Sequence, residues 1–552
     1  MRHSAGSLIT ISVMSRTATQ PGVLICGAGP VGLALATQLV RHDVDFRIID
    51  RNEARTELSK ALVIFARSLE LLHTGVDAHS FIDAGIKMEH AQLFASGRPL
   101  AVLPLDGTDS PFGTGIMIPQ ASTEQILEES LAAMGHHVER GTELTDFTDL
   151  GGRVRCTLRG PGGEEIIEPA WLAGCDGAHS IVRHGLDLEF KGSSVEGRWI
   201  LADCRVEGID PGATIIPSFN PEGMLVLFRI KDDRFRVTAN TPLDHPDQPR
   251  VDPTLEEIQD VLDRRGAGHW RAYDPTWLTE FRINERKVDD FRHGRCLLSG
   301  DAAHIHSPAG GQGMNTGMQD ACNLAWKLSL VHKGVASDAL LDSYSEERSE
   351  IGRQLLVNTG RMLRAATLRS RLTSAIRNTA IRLAMKRPKL QERFRNFLSE
   401  LSISYPADSI GGGDHATGDG RSGPAPGHRI PDLAMTSEHG ADSLHDQLAD
   451  PRLSLLVHIE TEDGLQQVAT VENAIPHAWR RSIQVLKIMS SAPHPTGSFL
   501  HADEADLEHR IGLPRGTFAL VRPDGYLLLR GMAEDPAPLA QWCTRFSNSN
   551  SN

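Results

Sequence analysis

The chain has 552 residues and a mass of 60.2 kDa, which is too long for one compact core and predicts three or four domains. Hydrophobic residues make up 40% and charged residues 23%, with a mean hydropathy of −0.25, which excludes the disordered, collagenous and membrane-embedded classes. The formal net charge of −14 argues against generic nucleic-acid binding, because such a chain repels polyphosphate.

The first twenty residues contain only a short apolar run, shorter than a secretory or membrane segment. We expect residues 1–20 to form a disordered tail, with Met14 as an alternative start. The seven cysteines show no CxxC motif and no zinc-site spacing, and their odd number does not close a disulfide framework. The sequence therefore predicts a cytoplasmic protein without a metal site.

Residues 23–50 have the pattern of a βαβ unit, with strands at 23–26 and 45–50 around a helix at 31–40. The glycine motif Gly27-Ala28-Gly29-Pro30-Val31-Gly32 lies between the first strand and the helix. Such glycines allow a tight turn and bring backbone N–H groups close to a pyrophosphate at the helix N-terminus. Asp50 ends the next strand, where a carboxylate can accept the ribose hydroxyls of an adenosine. An ordinary glycine turn is the alternative interpretation.

The middle of the chain is predicted to contain a mixed α/β region followed by a mostly β region. A capping signature from Ser122 to Gln125 predicts the start of a helix, and strands are expected near 153–158 and 170–174. The motif Cys175-Asp176-Gly177 directly follows the second of these strands. Residues 195–290 contain turn clusters and strand-like runs, which indicate a mostly β insertion.

A second glycine-rich segment follows the predicted strand at 296–299. It begins with Gly300-Asp301-Ala302-Ala303-His304 and continues from Pro308 to Asn315, after which apolar spacing predicts a helix from about Met314. N–H groups at such a helix start suit a site where negative charge develops, such as the edge of a reduced flavin; a second pyrophosphate site is the competing use.

The last third divides into helices, a linker and a separate unit. Residues 335–400 are expected to be helical, and the Gly- and Pro-rich stretch between Pro406 and Pro431 is expected to be a linker or irregular loop. Strands are predicted at 454–459 and 483–489, an acidic helix near 502–511, and two strands around the turn 522–525.

Residues 361–395 form the one strongly basic block, with eleven Lys and Arg and one acid, Glu392. It predicts either a surface for anionic lipid or a partner, or a solvated helical face that pairs with acids elsewhere. We favour the second, because apolar residues between the charges are expected to pack against the neighbouring domain.

Three motifs follow one another along the chain: Gly27–Gly32, Asp176-Gly177 and Gly300-Asp301. In order and spacing they resemble the GxGxxG, DG and GD fingerprints of class A FAD-dependent aromatic hydroxylases, such as the phenol and p-hydroxybenzoate hydroxylases. The resemblance covers residues 20 to 380. Pro119-Gln120 is similar to the family glutamine that contacts FAD, and Arg67-Ser68-Leu69-Glu70 to its RTLE segment. Lys60 stands where many members have arginine, and Asp50 replaces the commoner glutamate.

The resemblance implies that Asp301 holds the ribityl chain, that Asp176 and Arg183 form the DG motif, and that Met314 and Asn315 border the isoalloxazine. The predicted FAD-binding residues are Gly27, Gly29, Pro30, Gly32, Asp50, Arg51, Lys60, Arg67, Gln120, Leu144, Asp176, Asp301, Pro308, Gly313, Met314 and Asn315. His304 and His306 are candidates for assisting a substrate phenol, with bracing of the loop as the alternative.

The implied fold is α/β, with a discontinuous Rossmann-like FAD domain, an inserted β-sheet substrate domain and a C-terminal thioredoxin-like domain. The predicted ranges are FAD domain 21–95, 119–194 and 289–400; substrate domain 96–118 and 195–288; linker 401–432; and thioredoxin-like domain 433–552. Because the last domain has no CxxC, its expected role is structural or in oligomer contact.

The implied activity is an FAD-dependent monooxygenase that consumes NADPH or NADH and O₂ and hydroxylates a phenolic or polycyclic aromatic substrate through a C4a-hydroperoxyflavin. Expected partners are this small aromatic substrate and, at most, a second copy as a homodimer, without nucleic acid or stable membrane insertion. An FAD-dependent epoxidase or reductase of an apolar substrate is the alternative. A non-catalytic dissociation inhibitor is disfavoured by the Pro308–Asn315 loop, and a halogenase by the missing WxWxIP segment.

Overall fold

A computed structural model describes residues 20–195, 197–241, 250–307, 310–368, 370–415, 422–437, 440–460, 464–490 and 499–548. The predicted tail, apart from Gln20, and Met14 within it therefore lie outside the described residues.

Regular structure occurs throughout the described ranges. The α-helices are α1 Pro30–Arg41, α2 Ala66–His73, α3 Ala78–Ala84, α4 Gln120–Ala133, α5 Ile181–Gly185, α6 Leu255–Arg265, α7 Gly313–His332, α8 Ala339–Ala366, α9 Arg371–Ala384, α10 Pro388–Leu398, α11 Leu444–Gln447, α12 Leu465–Asn473 and α13 Ala537–Phe546. The strands of the first half are β1 Val23–Cys26, β2 Phe46–Asp50, β3 Val63–Phe65, β4 Ile86–Lys87, β5 His90–Ala95, β6 Arg98–Pro104, β7 Gly115–Met117, β8 Glu139–Arg140, β9 Glu143–Asp149, β10 Val154–Gly160, β11 Gly163–Ile167, β12 Trp171–Gly174, β13 Lys191–Ser194, β14 Arg198–Glu207, β15 Ala213–Asn220, β16 Gly223–Lys231, β17 Arg234–Thr241 and β18 Arg271–Phe281. The later strands are β19 Asn284–Lys287, β20 Arg292–His293, β21 Cys296–Leu298, β22 His304–Ile305, β23 Gly413–Asp414, β24 Ala434–Ser437, β25 Gly440–Ser443, β26 Leu453–Ile459, β27 Ile483–Met489, β28 Leu500–His501, β29 Thr517–Val521 and β30 Leu527–Met532.

The N-terminal unit is built on a six-stranded sheet with the order β20-β21-β12-β1-β2-β8. All neighbouring pairs are parallel except β20 with β21. The strand β1 is buried throughout, because its side chains belong to one apolar core with residues of α1, of α7 and of the three-stranded sheet β11-β10-β9. The predicted β1–α1–β2 unit and the strands β12 and β21 are confirmed.

A seven-stranded sheet with the order β18-β14-β17-β16-β15-β5-β6 confirms the predicted β insertion. One of its faces packs on α6, around Ile200, Leu225, Val237 and Leu262. The strand β5 belongs to this sheet, although the predicted boundary placed residues 90–95 in the FAD domain. Its pairing with β15 joins residues far apart in sequence, which local pattern does not reveal.

Two predicted helices are present, and the start of one differs from its prediction. The helix α4 begins at Gln120, and its N-cap is Pro119, so the predicted cap at Ser122 is wrong. Pro119 provides the fixed φ of a helix entry, and its carbonyl accepts the backbone N–H of Thr123 at 3.1 Å. The predicted acidic helix near 502–511 is present as a helical segment that begins at Glu504, and its last five residues, Asp506–Arg510, are π-helical.

The C-terminal unit contains an eight-stranded sheet with the order β23-β30-β29-β26-β27-β28-β24-β25. The predicted strands β26 and β27 run parallel, and β29 and β30 form the predicted hairpin. The predicted linker packs against this sheet: Gly427 donates its backbone N–H to the Leu527 carbonyl at 2.7 Å. Its described residues are therefore part of the folded unit.

Buried ion pairs join the C-terminal and N-terminal units. The Arg522 guanidinium donates to both oxygens of Glu347 in α8, at 2.8 and 3.1 Å. Arg429 similarly makes two hydrogen bonds to Glu70 in α2, at 2.7 and 2.6 Å. All four side chains are almost fully buried, so the units share one interior.

One helix of the basic block, α9, does not pack as predicted. Leu372, Ile376 and Leu383 of α9 are 71%, 62% and 57% exposed, so the expected burial of its apolar residues is wrong. None of the described helices combines the length and the apolar character needed to cross a membrane.

Candidate functional site

The predicted motifs meet at one edge of the six-stranded sheet. The parallel strands β1, β12, β2 and β21 end at this edge and lead into Gly27, Cys175, Arg51 and Ser299. A Cβ on Gly27 would lie 2.5 Å from the Cys175 carbonyl oxygen, and its φ is +100°, so only glycine fits there. Ligands of open α/β sheets bind at this edge.

The first glycine loop leaves room for a ligand at one position. A Cβ on Gly32 would lie 1.9 Å from the Gly27 carbonyl oxygen, whereas a Cβ on Gly29 would meet nothing within 4 Å. Gly29 is also the N-cap of α1, without a side chain that caps the helix, and Pro30 is the first helical residue. The helix start therefore presents N–H groups and positive dipole beside open space.

A cavity of about 300 Å³ adjoins this loop and Asp50. Asp50 accepts the backbone N–H of Ala28 at 2.9 Å, which joins the end of β2 to the glycine loop. Arg140 and Arg55 also line the cavity, and both pair with Glu128, at 2.9 and 3.1 Å. Sequence reasoning missed these two cations. The register of β8 beside β2, which places Arg140 opposite Asp50, is the signal that would have identified Arg140.

Asp301 lies in the turn after β21. Its side chain is exposed and makes no hydrogen bond or ion pair with any of the residues that the structure describes. Neighbouring protein still removes part of the water around the carboxylate, and this partial desolvation raises its pKa, against the opposing effect of His304 and Lys60. An unpaired carboxylate at this edge is a free acceptor for ligand hydroxyls.

The turn of Asp301 is pressed against the first glycine motif. A Cβ on Gly300 would lie 2.8 Å from the Val31 side chain, and one on Gly317 in α7 would lie 2.7 Å from the same side chain. Small residues at both positions therefore allow α7, the turn and the start of α1 to approach closely.

In the DG motif, one carboxylate oxygen of Asp176 bonds within the protein, whereas the other, Oδ1, is buried without a hydrogen-bond partner among the described residues. Asp176 accepts the backbone N–H groups of Ile181 and Val182, at 2.7 and 3.2 Å, and so holds the start of α5. Arg183 donates to the Ala302 carbonyl at 3.0 Å and stacks on Phe190. These bonds tie the DG segment to the Asp301 turn.

The start of α7 is a second uncapped helix N-terminus. Gly313 is its first residue, and Gln312 provides no side-chain cap. Met314 is half-buried, whereas Asn315 is fully buried and bonds within the protein, accepting from Phe65 N at 2.8 Å and donating to Val63 O at 2.9 Å. Asn315 thus fixes β3 against α7 through its side chain. Pro308 lies outside the described residues.

The two candidate histidines differ in their surroundings. His304 Nε2 lies 2.8 Å from Asp320 Oδ2, in a buried cluster with Arg348, which favours the bracing alternative. His306 Nδ1 lies 2.8 Å from the Ser307 carbonyl oxygen and therefore donates to it. Its Nε2 has no partner among the described residues, and a Cβ on Gly313 would lie 3.0 Å from it. Burial lowers the pKa of His306 to about 4.

Four other predicted residues are placed as follows. Arg67 is buried and pairs with Glu70 at 2.9 Å, so its guanidinium contributes to the interface with the C-terminal unit. Leu144 is buried in the core, and Gln120 donates to Glu124, a cavity residue, at 2.9 Å. Arg51 is exposed and lies outside the cavity lining.

Lys60 lies where the inserted sheet meets the N-terminal unit. It is exposed, and its carbonyl accepts a hydrogen bond from Arg236 at 3.0 Å. Arg236 is held by Asp203 through two bonds of 2.8 Å. Nearby, Phe228 of the sheet packs in one apolar cluster with Phe65. The sheet face opposite α6 therefore covers the N-terminal unit.

The residues at this edge fit FAD. The open space at Gly29 and the uncapped start of α1 suit a pyrophosphate, and Asp50 beside the cavity suits an adenosine ribose. The unpaired Asp301 suits a ribityl chain, and the uncapped start of α7 suits the electron-rich edge of a flavin. Arg67 and the Asn315 side chain are already used within the protein, and we remove both from the set expected to bind FAD.

Comparisons with known proteins agree with this fit. A family described as "FAD binding domain" matches residues 20–359, and one described as "Aromatic-ring hydroxylase, C-terminal" matches residues 423–547. The chain is 34% identical over 544 residues to 6-methylpretetramide 4-monooxygenase of Streptomyces rimosus, covering 94% of this chain and 92% of the relative. It is 30% identical over 517 residues to pentachlorophenol 4-monooxygenase of Sphingobium chlorophenolicum, covering 92% and 93%. The crystal structure of CabE, an aromatic hydroxylase from angucycline biosynthesis, superimposes with a TM-score of 0.71 at 28% identity, covering 93% of this chain and 96% of CabE.

Proposed function

Because the chain belongs to the FAD-dependent aromatic-ring hydroxylases and is a flavoprotein monooxygenase, we propose that it hydroxylates a phenolic or polycyclic aromatic substrate of the polyketide type, with NADPH or NADH as reductant. The observation that carries the proposal is the convergence of Gly29, Asp50 and Asp301 at one sheet edge beneath the inserted sheet. Bound FAD would supply hydride acceptance and the activation of O₂.

The chain's own residues would bind and orient the FAD. The backbone at Gly29, together with Arg55 and Arg140, would hold the anionic pyrophosphate end, and Asp50 and Asp301 would accept ligand hydroxyls. The N–H groups at the start of α7 would stabilise negative charge beside them. The inserted sheet, held by its contacts at Lys60 and Phe228, would limit the access of water to a bound flavin.

His306 is proposed as an acceptor for a substrate hydroxyl. Its Nδ1 donates to the Ser307 carbonyl, so the neutral ring carries a lone pair at Nε2. With a pKa of about 4, the ring is a poor proton acceptor near neutral pH, and orientation of the hydroxyl suits it better than general-base catalysis. His304, which bonds to Asp320, is proposed to brace the loop.

A cytoplasmic location is also proposed, because all seven cysteines are buried free thiols, as expected in a reducing compartment.

The test is a screen of aromatic compounds for stimulated NADPH or NADH oxidation by the flavin-loaded protein, with product analysis by mass spectrometry and NMR. The expected result is faster oxidation together with a product that has gained one oxygen atom on an aromatic ring. A product that has gained two hydrogen atoms would assign the reductase alternative, and an epoxide the epoxidase. Faster oxidation that yields only hydrogen peroxide across the whole panel would overturn the hydroxylase proposal.

A further inference from the structure

The end of α8, together with α9 and α10, carries many exposed cations. We call these residues the cationic surface. Its exposed Lys and Arg residues are Arg361, Arg364, Arg371, Arg382, Lys386, Arg387, Lys389 and Arg393. One exposed acid, Glu392, lies among them. In a chain of net charge −14, this concentrates exposed positive charge in one segment of the chain.

These cations are not neutralised by the fold. No ion pair joins any of them to another of the residues that the structure describes, whereas exposed cations elsewhere, such as Arg271 and Arg353, pair with neighbouring acids. The predicted pairing of this block with acids elsewhere is therefore limited, among the described residues, to the influence of Arg364 on Glu285, while Arg369 lies outside the described residues. Burial raises the pKa of the Glu285 carboxyl, and Arg364 lies close enough to oppose that rise. Glu392 is the one acid within the segment, so most of these positive charges remain available to an anionic surface.

An apolar stripe lies beside the cations. Leu372, Ile376 and Leu383 are separated by four and seven residues, so they share one face of α9, and each is more than half exposed. Phe394 in α10 is 37% exposed.

The opposite face of α9 holds the helix in place. Arg377 stacks on Phe219 of the inserted sheet, 4.6 Å from the ring centre, and donates to the Ala365 and Ala366 carbonyls at 3.1 Å. Ser374 is buried and donates to the Leu368 carbonyl at 3.0 Å. The apolar stripe therefore faces outward from a helix already packed on its other side.

We propose that the cationic surface docks on an anionic lipid bilayer, with Leu372, Ile376 and Leu383 entering the headgroup region. An exposed apolar stripe flanked by Arg and Lys is the composition of helices that lie in a membrane interface. Long Arg and Lys side chains keep their charges at headgroup level while their stems cover apolar surface. The charge distribution orients the molecule, because the anionic remainder of the chain is repelled by the same bilayer.

A second copy of the chain is a poorer occupant for this surface. A twofold dimer through α9 would place the same cations against each other, and like charges across an interface cost several kcal/mol. An anionic bilayer instead supplies negative charge and an apolar layer together.

The test is flotation of the full flavin-loaded chain with vesicles of phosphatidylcholine alone or with about one-third phosphatidylglycerol. We expect binding to the anionic vesicles only, and loss of that binding when the salt concentration is raised to about 1 M. Each cation at such a surface strengthens binding roughly fivefold, so the triple change Arg382→Gln, Lys386→Gln and Arg387→Gln should weaken it on the order of 100-fold. The triple change Leu372→Gln, Ile376→Gln and Leu383→Gln should also weaken it, since Gln keeps helix propensity and removes the apolar stripe.

Matched controls replace exposed residues elsewhere. Lys87→Gln, Arg159→Gln and Lys231→Gln remove three exposed cations, and Ile166→Gln removes an apolar side chain that is 61% exposed. The controls should bind like the unchanged chain, and every variant should retain its flavin, which separates this proposal from the enzymatic one. Equal binding to both vesicle types would overturn the membrane proposal. Full binding by the Arg382 triple variant or by the Leu372 triple variant would also overturn it. Self-association that is lost in the Leu372 triple variant, without vesicle binding, would assign the surface to a second copy.

Discussion

Asp320 in α7 accepts the backbone N–H of Gly300 at 3.0 Å, and this bond fixes the turn that carries Asp301. The same carboxylate contacts His304 Nε2 at 2.8 Å and accepts from Arg348 Nε at 2.6 Å. Burial alone would raise the pKa of Asp320, but Arg348 and His304 outweigh it and lower the pKa. A buried charged cluster thus holds the turn in position before any ligand binds.

Replacing Asp301 with Ala should weaken FAD binding about 10- to 100-fold, because the lost hydrogen bonds to a charged acceptor serve only the ligand. Fluorescence titration of the flavin-free protein measures the affinity, and urea unfolding of that protein should be unchanged. Asp83→Ala, which removes an exposed carboxylate in α3, is the control. Full FAD affinity in Asp301→Ala would mean that the ribityl chain lies elsewhere.

Gly29→Ala and Gly32→Ala should have opposite consequences. The new Cβ at position 29 meets nothing in the protein, so the fold should tolerate it while FAD content falls, because the methyl group occupies ligand space. The new Cβ at position 32 would lie 1.9 Å from the Gly27 carbonyl oxygen, so the unfolding midpoint should fall. Flavin absorbance and urea denaturation separate the two effects. Normal flavin content in Gly29→Ala would make this loop a packing turn.

Arg522→Met should destabilise the protein by about 3–5 kcal/mol, because it removes a partner of the buried Glu347. Burial alone would raise the pKa of Glu347, but Arg522 and Lys327 lower it to about 2. The ionised carboxylate therefore stabilises the fold above about pH 4.5, and this contribution is lost as the pH falls towards 2. The difference in unfolding free energy between Arg522→Met and the unchanged chain, measured by urea denaturation, should therefore become smaller as the pH falls over that range. Arg515→Met, which breaks exposed pairs with Glu460 and Glu504, should cost less than about 1 kcal/mol.

Glu400→Gln should stabilise the protein in alkaline solution. Burial raises the pKa of Glu400 to about 8, so the folded chain keeps a proton that the unfolded chain releases above about pH 4.5. Stability should therefore fall between pH 4.5 and 8 in the unchanged chain. The variant should lose this slope, so its stability relative to the unchanged chain should rise by up to about 1.4 kcal/mol per pH unit over this range in urea unfolding. The exposed Glu392→Gln is the control, and parallel profiles for Glu400→Gln and the unchanged chain would contradict the assignment.

The fold class and the family were predictable because the informative residues are local. Gly27, Gly29, Asp50, Asp176 and Asp301 each follow a short apolar strand, and parallel strands bring their carboxyl ends together. The matched families confirm the FAD-binding domain, and the known relatives confirm a monooxygenase.

The rest of the site depends on long-range pairing. Arg140 lines the cavity because β8 pairs with β2. Arg67 instead pairs with Glu70 and donates a hydrogen bond to the Asp524 carbonyl of the C-terminal unit. One local signal for Asp320 was present. Thr316, Asp320, Asn323 and Lys327 recur at helical spacing in α7, and a polar stripe that includes charged residues within a buried helix indicates an internal charged cluster.

The Arg522–Glu347 pair also bears on how the protein matures. During synthesis, Glu347 and Lys327 leave the ribosome long before residues 517–532, which carry Arg522. Until that hairpin arrives, Glu347 pairs with Lys327 but lacks both hydrogen bonds from Arg522, so the buried cluster of the nascent N-terminal half is incomplete. Acquisition of the prosthetic group is therefore expected to be a late event, after translation of the hairpin rather than during it.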